Sequence, residues 1–207
     1  MLRILGKPTS INVRKVLWLC EELALPHELE PWGTGYRDTH VPEFLALNPN
    51  ALVPVVVDGD AVLWESNTIC RYLAGKAGRT DLLPHEPLAR ARIEQWMDWQ
   101  AGDFNNAWRY AYMHLVRKSP AHQDGGAVAA SAASWNRHVA MLDEQLGRTG
   151  AYVAGPAFTL ADIGIGLSVN RWYETPIERP GLPHVQAYYE RLSKRAAFRL
   201  HGRNGMP

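Results

Sequence analysis

Two short stretches of this 207-residue chain hold residues whose types and spacing can do chemistry: Val53-Pro54 and, twelve residues on, Glu65-Ser66. Pro54 interrupts the β-branched run Val53 to Val57. Proline has no amide to donate, so it suits the start or the edge of a strand rather than its middle. A strand beginning there leaves the Val53 amide and carbonyl free to pair with a group outside the sheet. Ser66 opens a helical pattern, and a hydroxyl beside the first unpaired helix amides makes a socket for a carboxylate. Backbone pairing next to such a socket points to a small peptide ligand with a free amino-acid end.

Other chemistries are poorly supplied. Cys20 and Cys70 each fall on the apolar face of a helical pattern, and neither belongs to a C-x-x-C pair or a Cys/His cluster. Both therefore read as buried thiols, and no metal site is expected. The formal net charge is +1, from 22 basic and 21 acidic residues, which gives no footprint for a general nucleic-acid or anionic-membrane partner. The opening Met1-Leu2-Arg3-Ile4-Leu5-Gly6 lacks the apolar core of a signal peptide. No apolar run approaches the roughly 20 residues of a spanning helix, so the expected compartment is cytoplasmic.

The elements that must position these residues follow from periodicity. Leu2 to Leu5 reads as a first strand, and Gly6 to Ser10 as a loop. Val13, Val16, Leu17, Cys20 and Leu23 recur at helical spacing, which predicts a helix over 12–23, stopped by Pro26. His27 to Trp32 fits an edge-like strand. Residues 33–50 are polar and irregular, with a short helix expected between Val41 and Leu47. Val55–Val57 and Ala61–Leu63 flank Asp58-Gly59-Asp60, a hairpin signal. A helix over 66–74 closes the half. One β-α-β unit and one hairpin together imply a mixed sheet.

Beyond a polar segment at 77–86, suited to an inter-domain linker, no clear strand appears. Residues 88–117 form one long helical pattern that Gly102 can kink, and it carries Trp96, Trp99, Trp108 and Tyr112. Val128, Ala132, Trp135, Val139, Leu142 and Leu146 mark another helix, and 182–195 a third. Thr159 and Asp162 stand as N-cap and N3 of a capping box, with Phe158 and Ile163 as its hydrophobic staple. Thr159 and Asp162 are read as structural, and their helix as the buried centre of the second half.

Taken in order, these elements resemble the cytosolic glutathione transferases over nearly the whole chain: Val53-Pro54 before the third strand, Glu65-Ser66 after the fourth, a linker, then an all-helical half with Phe158-Thr159-Leu160-Ala161-Asp162. The resemblance implies an α/β thioredoxin-like domain with a mixed four-stranded sheet at 1–76, followed by an all-α helical-bundle domain at 87–207. It implies a detoxifying enzyme with glutathione as co-substrate and a small hydrophobic electrophile as the other substrate. It also implies a homodimer.

The same resemblance suggests roles for residues. Val53, on a cis bond to Pro54, would pair with the cysteinyl backbone of glutathione. Glu65 would take the ammonium and Ser66 the α-carboxylate of the γ-glutamyl end. His40 would hold the glycine carboxylate. The loop Pro8-Thr9-Ser10-Ile11-Asn12 has no Tyr or Cys, so the chain is similar to the serine-type classes, theta-like and phi-like, and to related bacterial proteins. Ser10 is the first candidate for the group that activates the thiol, Asn12 the second and Thr9 the third. Ser10 acting only as a helix cap stays open. Ile11, Asn105, Trp108, Arg109 and Tyr112 are candidates for the electrophile pocket. The chain departs from the pattern at Leu52, where many relatives carry Lys or Gln. Alternative activities on the same fold are a glutathione-dependent isomerase or dehalogenase, and a non-catalytic ligand-carrier or interaction module.

Overall fold

The computed structural model describes residues 1–207, which divide into two compact units, Met1–Leu83 and Pro84–Pro207.

The first unit runs β1 (Leu2–Leu5), α1 (Ile11–Glu22), β2 (His27–Glu30), α2 (Pro42–Leu45), β3 (Val55–Asp58), β4 (Ala61–Trp64) and α3 (Ser66–Lys76). Its sheet has the order β2-β1-β3-β4. β1 and β2 are parallel, joined by the α1 crossover, whereas β3 is antiparallel to both β1 and β4. The mixed sheet is thus the direct product of one β-α-β unit and one hairpin. The hairpin turns where Gly59 takes φ +60°, a conformation that costs glycine nothing. Leu5, Trp32, Phe44 and Val55 pack as one buried cluster. The faces of α1 and α3 expected to be apolar are buried, with Val13, Val16, Leu17 and Cys20 on the first and Ile69, Cys70 and Leu73 on the second.

β1 ends at Gly6, which lies against the start of α1 so closely that a Cβ built on it falls 2.4 Å from Val13 Cγ2 and 3.4 Å from Val53 Cβ. Only glycine lets the chain leave the strand this near to both segments.

The second unit is helical: α4 (Pro87–Trp99), α5 (Asn105–Leu115), α6 (Gly125–Thr149), α7 (Leu160–Glu174), α8 (Pro183–Leu192) and α9 (Ala196–His201). The long pattern expected over 88–117 is two helices joined by a π-helical turn at Gln100–Phe104, which contains Gly102. The third helix stops at Leu192, and α9 follows as a separate short element. α7 is buried from Leu160 to Trp172. The Asp162 carboxylate accepts from the Thr159 amide at 2.8 Å, the Val153 amide at 3.0 Å and the Tyr188 hydroxyl at 3.0 Å, which anchors the start of that helix. Burial nevertheless pushes the Asp162 carboxyl up to about 6, against the pull of those donors.

Candidate functional site

Val53-Pro54 and Glu65-Ser66 come together in the first unit. With Asn12, Asn48, Asn50 and Leu52 they line a small cavity of about 50 Å3, large enough for the head of an amino acid but not for a tripeptide. The Val53–Pro54 bond is cis. The ladder to β1 begins at Val55, and the Val53 amide and carbonyl make no hydrogen bond within the fold.

Ser66 is the first residue of α3 and is buried, with 6% of its surface exposed. The N-cap position belongs to Glu65, whose side chain forms no cap bond. No acidic residue occupies the first turn, so the positive end of α3 favours an anion there. Glu65 itself is exposed and holds φ +70° with ψ 108°, a region that residues with a Cβ rarely enter. Strain of this kind persists where the surroundings demand it, and it gathers at binding sites.

Asn48 and Asn50 were not expected in the site. Asn48, 2% exposed, donates through Nδ2 to the Leu52 carbonyl at 2.8 Å. Its Oδ1 accepts from the amide and the side chain of Asn50, both at 3.0 Å. One buried amide thereby shapes the loop that delivers Val53. The signal in the sequence was Asn48-Pro49-Asn50 ahead of Val-Pro, a turn pattern whose side chains bond their own backbone.

Ser10 takes the N-cap position of α1 by backbone conformation, yet its hydroxyl makes no cap hydrogen bond. The hydroxyl is therefore available, at the positive end of a 12-residue helix with no acidic residue in its first turn. Asn12 lines the cavity with its side-chain amide unengaged, while Ser10 and Thr9 do not line it. Cys20 and Cys70 are buried, and loss of hydration pushes each thiol up to about 12, so neither supplies a thiolate near neutral pH.

The remaining candidates lie elsewhere. The His40 side chain is largely exposed and sits 3.1 Å from Asp38 Oδ1, outside the cavity lining. Ile11 is buried on α1. In the second unit, Trp108 and Tyr112 are buried, edge to face at 5.3 Å, with the Arg171 guanidinium over both rings at 4.5 and 4.1 Å. Asn105 accepts from Gln100 Nε2 at 3.1 Å and donates to the Ala101 carbonyl at 3.3 Å. Arg109 is exposed. No group of three or more His, Cys, Asp or Glu side chains is placed to hold a metal ion. No helix is long and apolar enough to cross a membrane.

Residues 9–76 match the family model of the glutathione S-transferase N-terminal domain, and residues 107–196 match that of the C-terminal domain. The chain belongs to the glutathione S-transferase family. It is 37% identical over 201 residues to glutathione S-transferase GstB of Escherichia coli K12, a match spanning 96% of each chain. It is 36% identical over 204 residues to glutathione S-transferase 3 of Zea mays, which covers 95% of this chain and 91% of the relative. Among solved structures it is similar to the theta class glutathione S-transferase of Xanthomonas axonopodis pv. citri with glutathione bound: TM-score 0.90, 38% identity, covering 97% of this chain and 96% of the other. These matches agree with the thioredoxin-like and helical halves of the fold, and with the family inferred from Val53-Pro54, Glu65-Ser66 and the capping box.

Proposed function

We propose that this transferase binds glutathione at the cavity beside α3 and activates its thiol from the start of α1, for attack on small apolar electrophiles. In this reading Val53 pairs with the cysteinyl backbone, Glu65 takes the ammonium, and Ser66 with the α3 amides takes the α-carboxylate. His40 exchanges its Asp38 contact for the glycine carboxylate. The observation that carries the chemical half is the uncapped hydroxyl of Ser10 at the N-terminus of α1. A free thiol has a pKa near 8.5, and lowering it by about two units needs roughly 2.7 kcal/mol of preferential stabilisation of the anion. A charge-assisted hydrogen bond from a hydroxyl, together with a helix N-terminus, supplies energy on that scale.

Ser10 keeps its proton throughout and donates it in a hydrogen bond. The thiol proton leaves to solvent. The sulfur pair then forms a carbon–sulfur bond as the leaving group departs with its electron pair; on a hydroperoxide the same thiolate attacks the terminal oxygen, the O–O bond breaks, and the alkoxide leaves with that electron pair and takes a proton from solvent, so that glutathione becomes the sulfenic acid and the peroxide the alcohol. Ile11, Asn105, Trp108, Arg109 and Tyr112 are assigned to holding the electrophile. The enzyme acts in the cytoplasm as a homodimer and uses no metal. Asn12 is the second reading for the activating group, because its free amide lines the cavity.

Retention on immobilised glutathione tests the binding half. The expected result is retention that Ser66→Ala weakens, and absence of binding at millimolar glutathione would refute the proposal. Turnover of a chromogenic aryl halide tests the chemical half.

A further inference from the structure

A second cavity, of about 430 Å3, opens in the helical unit and shares no residue with the cavity beside α3. Its volume is in the range of small-molecule sites. One wall is aromatic. Trp172 and Tyr173 lie near the end of α7 with ring centroids 5.0 Å apart, and Tyr189 of α8 stands 4.7 Å from Tyr173. Trp172 and Tyr189 are buried, the latter under the Arg203 guanidinium at 4.8 Å, so half-buried Tyr173 is the ring this wall presents.

Beside that wall stand two exposed, opposite charges with no oppositely charged partner, the Arg179 guanidinium lying 5.7 Å from the Trp172 ring centroid. Glu174, the last residue of α7, pairs with no cation and accepts no hydrogen bond. Its carboxylate lies at the negative end of the helix, where a further negative charge is disfavoured. Arg179 donates through Nη1 to the carbonyls of Thr175 at 2.7 Å and Trp172 at 3.2 Å, and no carboxylate pairs with it. Its Nε and Nη2 hydrogens remain unspent. The other guanidinium on the rim differs, because Arg203 is already held by Glu190 at 2.9 Å and by Ser193 at 3.0 Å. The side chain of Gln186, also on the lining, has no partner.

We propose that this cavity is a binding site for a free aromatic α-amino acid. The ring lies against Tyr173, the accessible ring of that wall, the carboxylate pairs with Arg179, and the ammonium pairs with Glu174. A simple aromatic carboxylate would satisfy Arg179 but add a negative charge beside Glu174. An aromatic amine would satisfy Glu174 and leave Arg179 unpaired. A zwitterion carrying an aromatic ring meets all three features with one molecule.

The test is calorimetric titration of the full chain with L-phenylalanine, with the glutathione cavity kept saturated by S-methylglutathione. The expected result is binding at one site. L-Alanine, 3-phenylpropionate and phenethylamine should each bind about tenfold more weakly or worse, the scale of one lost apolar or charge-assisted contact. Glu174→Gln and Arg179→Ala should weaken L-phenylalanine by a similar factor while glutathione conjugation continues at its normal rate. Arg179 also caps α7, so an Arg179 variant that unfolds leaves Glu174→Gln, whose side chain does no structural work, to decide. No heat at millimolar L-phenylalanine overturns the proposal. So does equal binding of 3-phenylpropionate, or unchanged affinity in Glu174→Gln. None of these outcomes bears on the glutathione site.

Discussion

Glu65 is held in a backbone conformation that its side chain does not favour, and that strain can be measured by comparing two substitutions. At φ +70° and ψ 108° the cost to a residue with a Cβ is about 1–3 kcal/mol. Glu65→Gly removes the Cβ and with it the strain, but glycine loses about 0.5–1 kcal/mol more entropy on folding. The Glu65 side chain is exposed and makes no hydrogen bond in the fold, so truncating it sacrifices almost no native contact. The net expectation is a gain of about 1 kcal/mol, which for a protein of this size raises Tm by about 2–4 °C. Glu65→Ala keeps the Cβ and the strain, so its Tm should stay close to that of the unchanged protein. Both variants lack the carboxylate and should fail to stay on immobilised glutathione. The assay is thermal unfolding without ligand, paired with the retention experiment. If Glu65→Gly melts no higher than Glu65→Ala, the strain argument is wrong. If either variant binds glutathione normally, the carboxylate does not hold the ammonium.

Three other perturbations bear on different parts of the structure. Ser10→Ala should lower turnover of an aryl halide by roughly ten- to a hundredfold, the worth of a hydrogen bond to a charged group, with little change in glutathione affinity. It should barely move Tm, because the hydroxyl makes no cap bond; the same kinetic loss from Asn12→Ala instead would transfer the role to Asn12. Gly6→Ala should destabilise the first unit by about 1–3 kcal/mol, because the new methyl would meet Val13 at 2.4 Å, and a denaturant melt with an unchanged midpoint would contradict that packing. Asp162 titrates in the opposite sense to an ordinary paired carboxylate. Its native value of about 6 lies above the ordinary carboxylate range, so its contribution to stability is complete below that range and is lost as pH rises through about 6. The stability of the unchanged protein minus that of Asp162→Asn should therefore fall between about pH 4 and 7, and a flat or rising difference would refute the assignment.

Much of the fold was legible because it rests on local rules. Val13, Val16, Leu17 and Cys20 name the buried face of α1, and Asp58-Gly59-Asp60 names a hairpin, without help from distant residues. The π-helical turn at Gln100–Phe104 was only half legible. Gly102 shows that the long helix weakens there, but the change of hydrogen-bond register is not written in the apolar spacing. The site divides in the same way. Val53-Pro54 and Glu65-Ser66 announce themselves by misplaced proline and helix-start chemistry. Asn48 does not, because its part depends on which backbone atoms its amide reaches, here the Leu52 carbonyl and the Asn50 amide. His40 entered only by resemblance, and in this chain its nearest charge is Asp38.

The groups that face the candidate ligand have one property in common: the fold forms them and leaves them unused. Folding normally pairs polar groups with one another, since an unpaired buried one costs free energy. Here the Val53 amide and carbonyl and the hydroxyl of Ser10 lack partners within the chain, and no side chain caps the start of α3. The residue just before Val-Pro is Leu52, 63% exposed and without a side-chain group to hydrogen-bond. The loop of this chain is instead held from inside by Asn48. In the proposed binding mode its contribution to a peptide ligand would therefore come from backbone held by a buried amide. Backbone pairing recognises any peptide of the right shape, so selectivity for glutathione rests on the end groups. In the proposed binding mode that places the burden of specificity on Glu65 and Ser66, and it would account for a strained glutamate at position 65 rather than a relaxed glycine.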